Sequence, residues 1–303
     1  YRQSMLALDA GKHVLCEKPL ALSLEQADEM LAVAAERELL MVANLVQRYN
    51  PLYAPVQQVI ANRLLGDALH AYFENYAKDE PLGPEHWFWD REKSGGIFVE
   101  HGVHFFDMFR GWLGRGRVEA AQRTMRPGTT IEEQVQCTVR YGEDVLVNFY
   151  HGFHQPARLD RQELRIVLER GDITLRGWIP TGATIRGIVS ESTRLKMEDI
   201  LLPADLEIVN TYHGDERRCT GRHKEVEVDE FIELTTPEGV DKERRYGEMI
   251  QSLVEDQLAW VHDRSHRRLV TGENGRRSLA VALEAAGRAP SNMQADKADA
   301  VLA

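Results

Sequence analysis

The chain has 303 residues, and its 37 Lys and Arg against 48 Asp and Glu leave a formal net charge of -11; the length allows two ordinary domains. The acidic balance argues against a nucleic-acid partner, because such proteins concentrate positive charge on one face. No run of about 18 apolar residues and no signal-peptide pattern occurs, so the sequence predicts a cytoplasmic protein without a membrane span.

The first 49 residues alternate helix and strand patterns, as βαβ units do. The predicted elements are a helix ending at Gly11, a strand over 13–16, a helix over 24–38 and a strand over 41–46. Ser23 suits the N-cap of the second helix, and Gln26 completes a capping box. Because Tyr1 opens within a helical pattern, we expect the beginning of this first domain to lie upstream of the chain.

After residue 50 a helix is followed mainly by strand patterns. The predicted elements are a helix over 52–65, a strand over 68–76, an aromatic loop, a helix over 97–113, six strands between 117 and 189, and closing helices over 246–263 and 273–287. Consecutive strands separated by turns predict an antiparallel sheet, and residues 190–225, polar and weakly periodic, are interpreted as loops or insertions whose conformation the pattern leaves open. The fold class is therefore α/β followed by α+β.

Residues 13–23, HVLCEKPLALS, place Lys18 and Pro19 directly after the first predicted strand. Pro19 stops the strand, so Lys18 is delivered to the carboxyl edge of the sheet, where open α/β sheets bind ligands. Lys18 is therefore a candidate for chemistry. The alternative is a solvated lysine in a loop between strand and helix.

A second motif, SGGIFVEHGVHFFD, covers residues 94–107. Gly95 and Gly96 allow a close backbone approach, and the following helix places Glu100 and His104 four residues apart on one face. A carboxylate one turn from an imidazole can orient it as a general base. The alternative is a core helix in which a neighbouring side chain satisfies His104.

Metal binding is disfavoured by the same stretch. EHGVH spaces His101 and His104 three apart, whereas the zincin pattern requires two His four apart, and HGFH at 151–154 is expected at a strand end. Three cysteines, odd in number and widely spaced, predict reduced thiols and not a disulfide framework. The aromatic loop at 87–90 could stack on a sugar ring or fill an interface.

Together, AGKHVLCEKPLALS, QRYNP and SGGIFVEHGVHFFDMFRGWLG resemble the motifs of the Gfo/Idh/MocA oxidoreductase family, which contains glucose-fructose oxidoreductase and inositol dehydrogenase. Their order and rough spacing match over most of the chain. The resemblance implies a Rossmann domain that binds NAD or NADP, followed by a domain with a large open antiparallel sheet flanked by helices. Residues 1–49 would be the C-terminal remainder of the dinucleotide-binding domain, and residues 50–303 the substrate and oligomerisation domain.

The resemblance also implies roles for the two motifs. Lys18 would lie between nicotinamide and substrate, His104 would be the catalytic histidine, and Glu100 would occupy a place usually held by aspartate. Hydride would leave a secondary alcohol carbon of a sugar or cyclic polyol while His104 accepts the hydroxyl proton. The remaining candidates are Glu17 and Pro19 for the cofactor, and Arg48, Tyr49, Asn50, Trp87 and His101 for the substrate.

The glycine-rich turn of such domains, G-x-G-x-x-G, occurs nowhere in the sequence. We expect it upstream of Tyr1, with the residue that selects NAD or NADP, and we expect this chain alone to bind either dinucleotide poorly. The resemblance further implies a homo-oligomer, a dimer or a tetramer, formed through apolar positions on the open sheet face.

Three functions compete at this stage. The first is an NAD(P)-dependent sugar or polyol dehydrogenase. The second uses the same site for redox-assisted glycoside cleavage, which product analysis would separate. The third is a non-catalytic ligand-binding or oligomerisation module, favoured by the absent glycine-rich turn and opposed by the presence of Lys18 and His104.

Overall fold

Alternating helices and strands form the first part of the chain, in a computed structural model that describes residues 1–201, 203–237 and 241–290. Its elements are α1 (Arg2–Asp9), β1 (Val14–Cys16), α2 (Leu24–Glu36) and β2 (Met41–Ala43). The two strands pair in parallel, which agrees with the predicted βαβ pattern. Ser23 caps α2 by accepting from Gln26 N at 3.3 Å, but the Gln26 side chain returns to Leu22 N.

A nine-stranded sheet dominates the rest of the described chain. The elements that follow β2 are α3 (Tyr53–Ala61), β3 (Ala68–Lys78), α4 (Arg91–Ser94), α5 (Val103–Leu113), β4 (Gly116–Met125), β5 (Glu132–Tyr141), β6 (Val145–Gln155), β7 (Arg161–Leu168), β8 (Gly171–Arg176) and β9 (Ala183–Val189). With β10 (Asp205–Thr211) and β13 (Glu230–Thr235), the strand order is β10-β13-β9-β8-β7-β3-β6-β5-β4. The β3 and β6 strands pair in parallel and the other neighbours are antiparallel, so the sheet is mixed.

The prediction of loops over residues 190–225 was wrong. This stretch contains α6 (Glu191–Leu201), β10, β11 (Arg218–Gly221) and β12 (Lys224–Glu227). Only Met197 and Leu201 of α6 are buried, and no residue of β10 is. An element with so little buried surface shows no apolar periodicity, and β10 owes its shape to backbone pairing with β13 at the sheet edge.

Two helices close the described chain, α7 (Lys242–His262) and α8 (Gly272–Arg288). The α8 helix packs on β2, α2, α5 and β4, so it joins the parallel strands to the large sheet. A Cβ at Gly272 would lie 2.6 Å from the Met41 carbonyl oxygen, and Asn274 Nδ2 donates to Asp107 at 3.1 Å. This packing places β2 and α5 against the same helix. The predicted domain division after residue 49 stays a prediction.

The inner face of the sheet packs on α5. Aromatic rings form much of this contact, with Phe73 stacked on Phe105 and Phe149 edge-on to Phe106. The opposite face carries hydrogen-bonded polar groups such as Tyr72 with Glu163. Self-association stays a prediction. In the described residues, no helix is both long and apolar enough to cross a membrane.

Candidate active site

Lys18 follows the end of β1, and its side chain reaches the second motif. The Lys18-Pro19 peptide bond is cis. Lys18 Nζ donates to the Glu100 carbonyl oxygen at 2.7 Å and also contacts the Glu100 carboxylate. The two side chains are 17% and 14% exposed, so water screens this ion pair less than it would a surface pair. The structure therefore brings both predicted motifs together.

Two glycines precede the site helix and have the left-handed backbone that favours glycine, with φ of 79° at Gly95 and 87° at Gly96. A Cβ at Gly96 would lie 2.9 Å from Glu132 Oε1. That carboxylate oxygen accepts from Ile97 N at 2.8 Å and so satisfies a backbone donor at the start of the helix. The Gly-Gly turn and Glu132 together fix where the helix begins.

A π-helical turn, Phe98–Gly102, stands where the sequence predicted regular α-helix. Such a turn contains more residues than an α-helical turn. The spacing of an ideal α-helix therefore does not predict which side chains share a face here. The Glu100 carboxylate contacts Lys18, and no contact with His104 accompanies this. The prediction that Glu100 orients His104 was therefore wrong, because the Glu100 carboxylate contacts Lys18.

His104 is buried with 3% exposure, near the Lys18 charge. Burial, followed by that charge, lowers the pKa of His104 well below its ordinary value of 6.5. Its Nδ1 has no hydrogen-bond partner among the described residues, and its ring stands edge-on to Trp178 with centroids 5.3 Å apart. At neutral pH the imidazole is uncharged and can accept a proton.

His101 is bonded on both ring nitrogens. Trp178 Nε1 donates to His101 Nε2 at 3.1 Å, and His101 Nδ1 lies 2.9 Å from His151 Nδ1. A free nitrogen for substrate, as predicted for His101, is therefore not present. Sequence reasoning missed Trp178 and His151, and it placed His151 at a strand end although it lies within β6. The available signal was a histidine among the inward residues Val147, Phe149 and Phe153.

The QRYN stretch, predicted to line the substrate pocket, makes internal contacts. Arg48 Nε and Nη2 donate to the Asp107 carboxylate at 2.6 and 2.8 Å. Tyr49 donates to Asp256 at 2.6 Å, and Asn50 Nδ2 donates to the Pro180 carbonyl at 2.8 Å. These contacts give Arg48, Tyr49 and Asn50 structural partners.

The remaining predicted residues, Glu17 and Trp87, lie outside the Lys18–Glu100 pair, at the end of the parallel strands and at the surface. Glu17 accepts from Asn44 Nδ2 at 3.2 Å, just beyond the ends of both parallel strands. Burial, then the Glu17 charge, raises the pKa of Tyr246, which contacts Trp178 with ring centroids 6.0 Å apart. Trp87 is 49% exposed and makes ring contacts with its neighbours His86 and Phe88. Over the described ranges, no three His, Cys, Asp or Glu are grouped to hold a metal ion.

Two family models match the sequence. The model described as "Oxidoreductase family, NAD-binding Rossmann fold" matches residues 1–45, and the "GFO/IDH/MocA C-terminal domain" model matches residues 53–174. The first match contains Lys18 and the second contains Glu100 and His104, so the paired side chains come from both matched regions.

Curated relatives include two enzymes of sugar and polyol chemistry. The 1,5-anhydro-D-fructose reductase of Ensifer adhaerens is 32% identical over 155 residues, 50% of this chain and 46% of that protein. The scyllo-inositol 2-dehydrogenase (NAD(+)) of Bacillus subtilis (strain 168) is 29% identical over 108 residues, 36% of this chain and 30% of that protein. The chain thus spans less than half the length of these relatives in the matched regions.

Solved structures share the fold at low identity. A 3-ketoreductase from Actinomadura kijaniata in complex with NADP has a TM-score of 0.64 at 16% identity, covering 96% of this chain and 74% of that one. An oxidoreductase from Agrobacterium radiobacter in complex with NAD+, L-tartaric acid and magnesium also has a TM-score of 0.64, at 13% identity, with 95% and 75% covered. These likenesses establish the arrangement of a small parallel sheet followed by a large sheet with flanking helices.

Proposed function

Because this chain belongs to the Gfo/Idh/MocA oxidoreductase family, we propose that it works in hydride transfer between a secondary alcohol of a sugar or cyclic polyol and NAD or NADP. One observation carries the proposal. Lys18 is paired with Glu100 beside His104, a buried imidazole with a lowered pKa. A cation and a neutral base in one small volume suit the removal of a hydroxyl proton.

The end of the parallel sheet fits a nicotinamide group. Ligands of open α/β sheets bind at the carboxyl ends of the strands, and Glu17, Lys18 and Pro19 follow the end of β1. Asn44, next to the end of β2, donates through Nδ2 to Glu17, and its side chain also interacts with Tyr246, so polar groups line this end of the sheet. When bound, the nicotinamide supplies the hydride acceptor or donor.

The roles of the protein groups follow from their contacts. His104 accepts the hydroxyl proton of the alcohol in the oxidation direction and returns it in reduction. The Lys18 ammonium stabilises negative charge on the same oxygen, and Glu100 holds Lys18 in place through its carboxylate and its carbonyl oxygen. Glu100 is thus a partner of Lys18 in this proposal, and not the group that orients His104.

The proposal extends to the organisation of the chain. Residues 1–49 would form the cofactor side of the site, and residues 50–303 the substrate side. The activities after which the two relatives are named, on an anhydro-fructose and on an inositol, support ring-shaped polyhydroxy substrates as the first compounds to test.

The test is a substrate screen with the full-length protein. Reduced nicotinamide is followed with NAD and NADP against a panel of sugars and inositols, for the unsubstituted protein and for Lys18→Met and His104→Ala. Lys12→Met, an exposed lysine before the same strand, and His262→Ala, an exposed histidine at the end of α7, are matched controls. Loss of turnover confined to the first two variants supports the proposal. No turnover by the unsubstituted protein, or equal losses in the controls, would contradict it.

A further inference from the structure

Behind His104, three side chains form a continuous hydrogen-bonded row. Trp178 Nε1 lies 3.1 Å from His101 Nε2, and His101 Nδ1 lies 2.9 Å from His151 Nδ1. Trp178 follows β8, His101 lies in the π-turn, and His151 lies in β6. We call this set the Trp178 row. It connects the central sheet to the edge of the site.

The chemistry of the groups fixes the protons along the Trp178 row. An indole nitrogen only donates, so His101 Nε2 must accept. Burial first, and the charge of neighbouring groups next, lowers the pKa of His101, so the ring is neutral and carries its proton on Nδ1. That proton is donated to His151 Nδ1, which leaves the His151 proton on Nε2. Each ring is therefore held in one tautomer.

The far end of the row is costly for the fold. His151 is fully buried and its ring contacts Phe73, Phe98 and Phe105. Its Nε2 has no partner in the described part of the chain. A buried donor without a partner destabilises the fold, and an apolar side chain in the same cage would avoid this cost. What His151 provides, and an apolar side chain would not, is the Nδ1 acceptor for the His101 proton.

At the near end, Trp178 is held on three sides. Besides its bond to His101, its backbone nitrogen donates to Gln162 Oε1 at 3.1 Å, and its carbonyl accepts from Gln47 Nε2 at 2.7 Å. The ring of Trp178 stands at 87° to the ring of His104. His104 Nδ1 has no hydrogen bond, and Glu100 contacts Lys18 instead, so ring packing replaces the polar partner that usually orients a catalytic histidine.

We propose that Trp178 is the positioning residue for His104, and that His101 and His151 are positioning residues that hold Trp178 in the orientation this requires. The inference rests on the proposed function of His104 as the base. It assigns His101 a role in the wall of the site, in place of a direct contact with substrate.

The first experiment needs neither cofactor nor substrate. The 15N chemical shifts of the histidine ring nitrogens are measured at neutral pH in the full chain, with His101→Asn and His151→Asn used for assignment. The inference expects a proton on Nδ1 of His101 and on Nε2 of His151. A His101 ring protonated on Nε2 would overturn the Trp178 row whatever reaction the protein catalyses.

The second experiment uses replacements that differ in one atom's role. In His151→Asn the side-chain amide can keep an acceptor near the position of Nδ1, whereas His151→Leu removes it. We expect about a 10-fold loss of kcat in His151→Leu, the lower end of the range found for outer-shell partners of metal-ligating side chains, with KM for the dinucleotide unchanged. His151→Asn should retain most of kcat. His154→Leu, on the same strand, is the matched control and should retain kcat as well.

Trp178→Phe keeps a ring beside His104 but removes the indole donor. We expect it to lower kcat as His151→Leu does, and the double variant to lose little more, because both changes break one row. Full activity in His151→Leu and Trp178→Phe would overturn the inference, as would additive losses. If His151→Leu does not fold, the ring-nitrogen chemical shifts and the kcat of Trp178→Phe test the inference instead. Absence of hydride transfer in the unsubstituted protein would instead overturn the proposed function, and with it the role given to Trp178.

Discussion

Lys18 and Glu100, 82 residues apart in the chain, are joined twice, through the Glu100 carboxylate and through its carbonyl oxygen at 2.7 Å from Lys18 Nζ. The second contact involves the backbone of the π-turn. Lys18 is therefore held by the position of this turn as well as by the charge of the Glu100 carboxylate. This relationship links the end of β1 to the start of α5 at the point where the proposed reaction takes place.

Lys18→Met should lower kcat by ~10²-fold or more, because the forming alkoxide loses its cation. The charge of Lys18 also lowers the pKa of His104, so its removal should move the acidic limb of the pH profile to higher pH. Steady-state kinetics between about pH 5 and 9 measure both effects. An unchanged limb would show that the two side chains do not interact.

His104→Ala should reduce kcat/KM for alcohol oxidation by about 10² to 10⁴-fold, the usual contribution of a positioned general base. The acidic limb in the unsubstituted protein should lie below pH 6.5, because burial lowers the pKa of His104 from that value. The variant should lack this limb. A His104→Ala protein with near-normal kcat/KM and the same limb would assign His104 to the core alone.

Glu100→Gln should have a smaller effect than His104→Ala, because the amide can still accept from Lys18. It leaves the Lys18 charge without its counter-charge, which should lower the pKa of His104 further and move the acidic limb to lower pH. Glu92→Gln, an exposed carboxylate on α4, serves as the control. A limb that moves upward would contradict the placement of Glu100 on Lys18.

Acid should destabilise the protein through three buried histidines. Burial lowers the pKa of His101, His104 and His151, the last to about 3, whereas unfolded histidine titrates near 6.5. Below pH 6.5 the unfolded chain therefore binds more protons, and the free energy of unfolding should fall as the pH falls, with a slope that approaches ~1.4 kcal/mol per unit for each histidine once the unfolded histidine is fully protonated. Urea unfolding between about pH 7 and 5 measures the slope.

His151→Asn provides the comparison for that slope. It removes one of the three linked groups, so its free energy of unfolding should fall less steeply, by a difference that approaches ~1.4 kcal/mol per pH unit toward pH 5. Identical slopes in the two proteins would mean that His151 takes up its proton as readily in the folded state as in the unfolded one.

Arg48→Met should destabilise the fold by about 3–5 kcal/mol, because it leaves the buried Asp107 carboxylate with Asn274 and no counter-charge. Arg63→Met is the matched control, since Arg63 pairs with Asp67 at the surface and such pairs contribute about 0–1 kcal/mol. Denaturant unfolding compares the two. A raised KM for substrate with unchanged stability would return Arg48 to the substrate pocket.

Local patterns were sufficient for much of the framework. The strand before Lys18, the Ser23 cap and the Gly-Gly turn follow from apolar runs, a capping side chain and backbone freedom, which act over a few residues. The same reasoning failed for α6 and β10, because elements with almost no buried side chains carry no periodic signal.

The sequence by itself thus identified Lys18, Glu100 and His104 as the candidates for the proposed chemistry, and it determined the order of the elements that carry them. Only the tertiary structure decided their partners. The π-turn and the packing of α8 bring Glu100 into contact with Lys18. Arg48 forms an ion pair with Asp107, and strand pairing places His151 next to His101. Such pairings join residues tens of positions apart, so they depend on sheet register and helix packing, which no local pattern encodes.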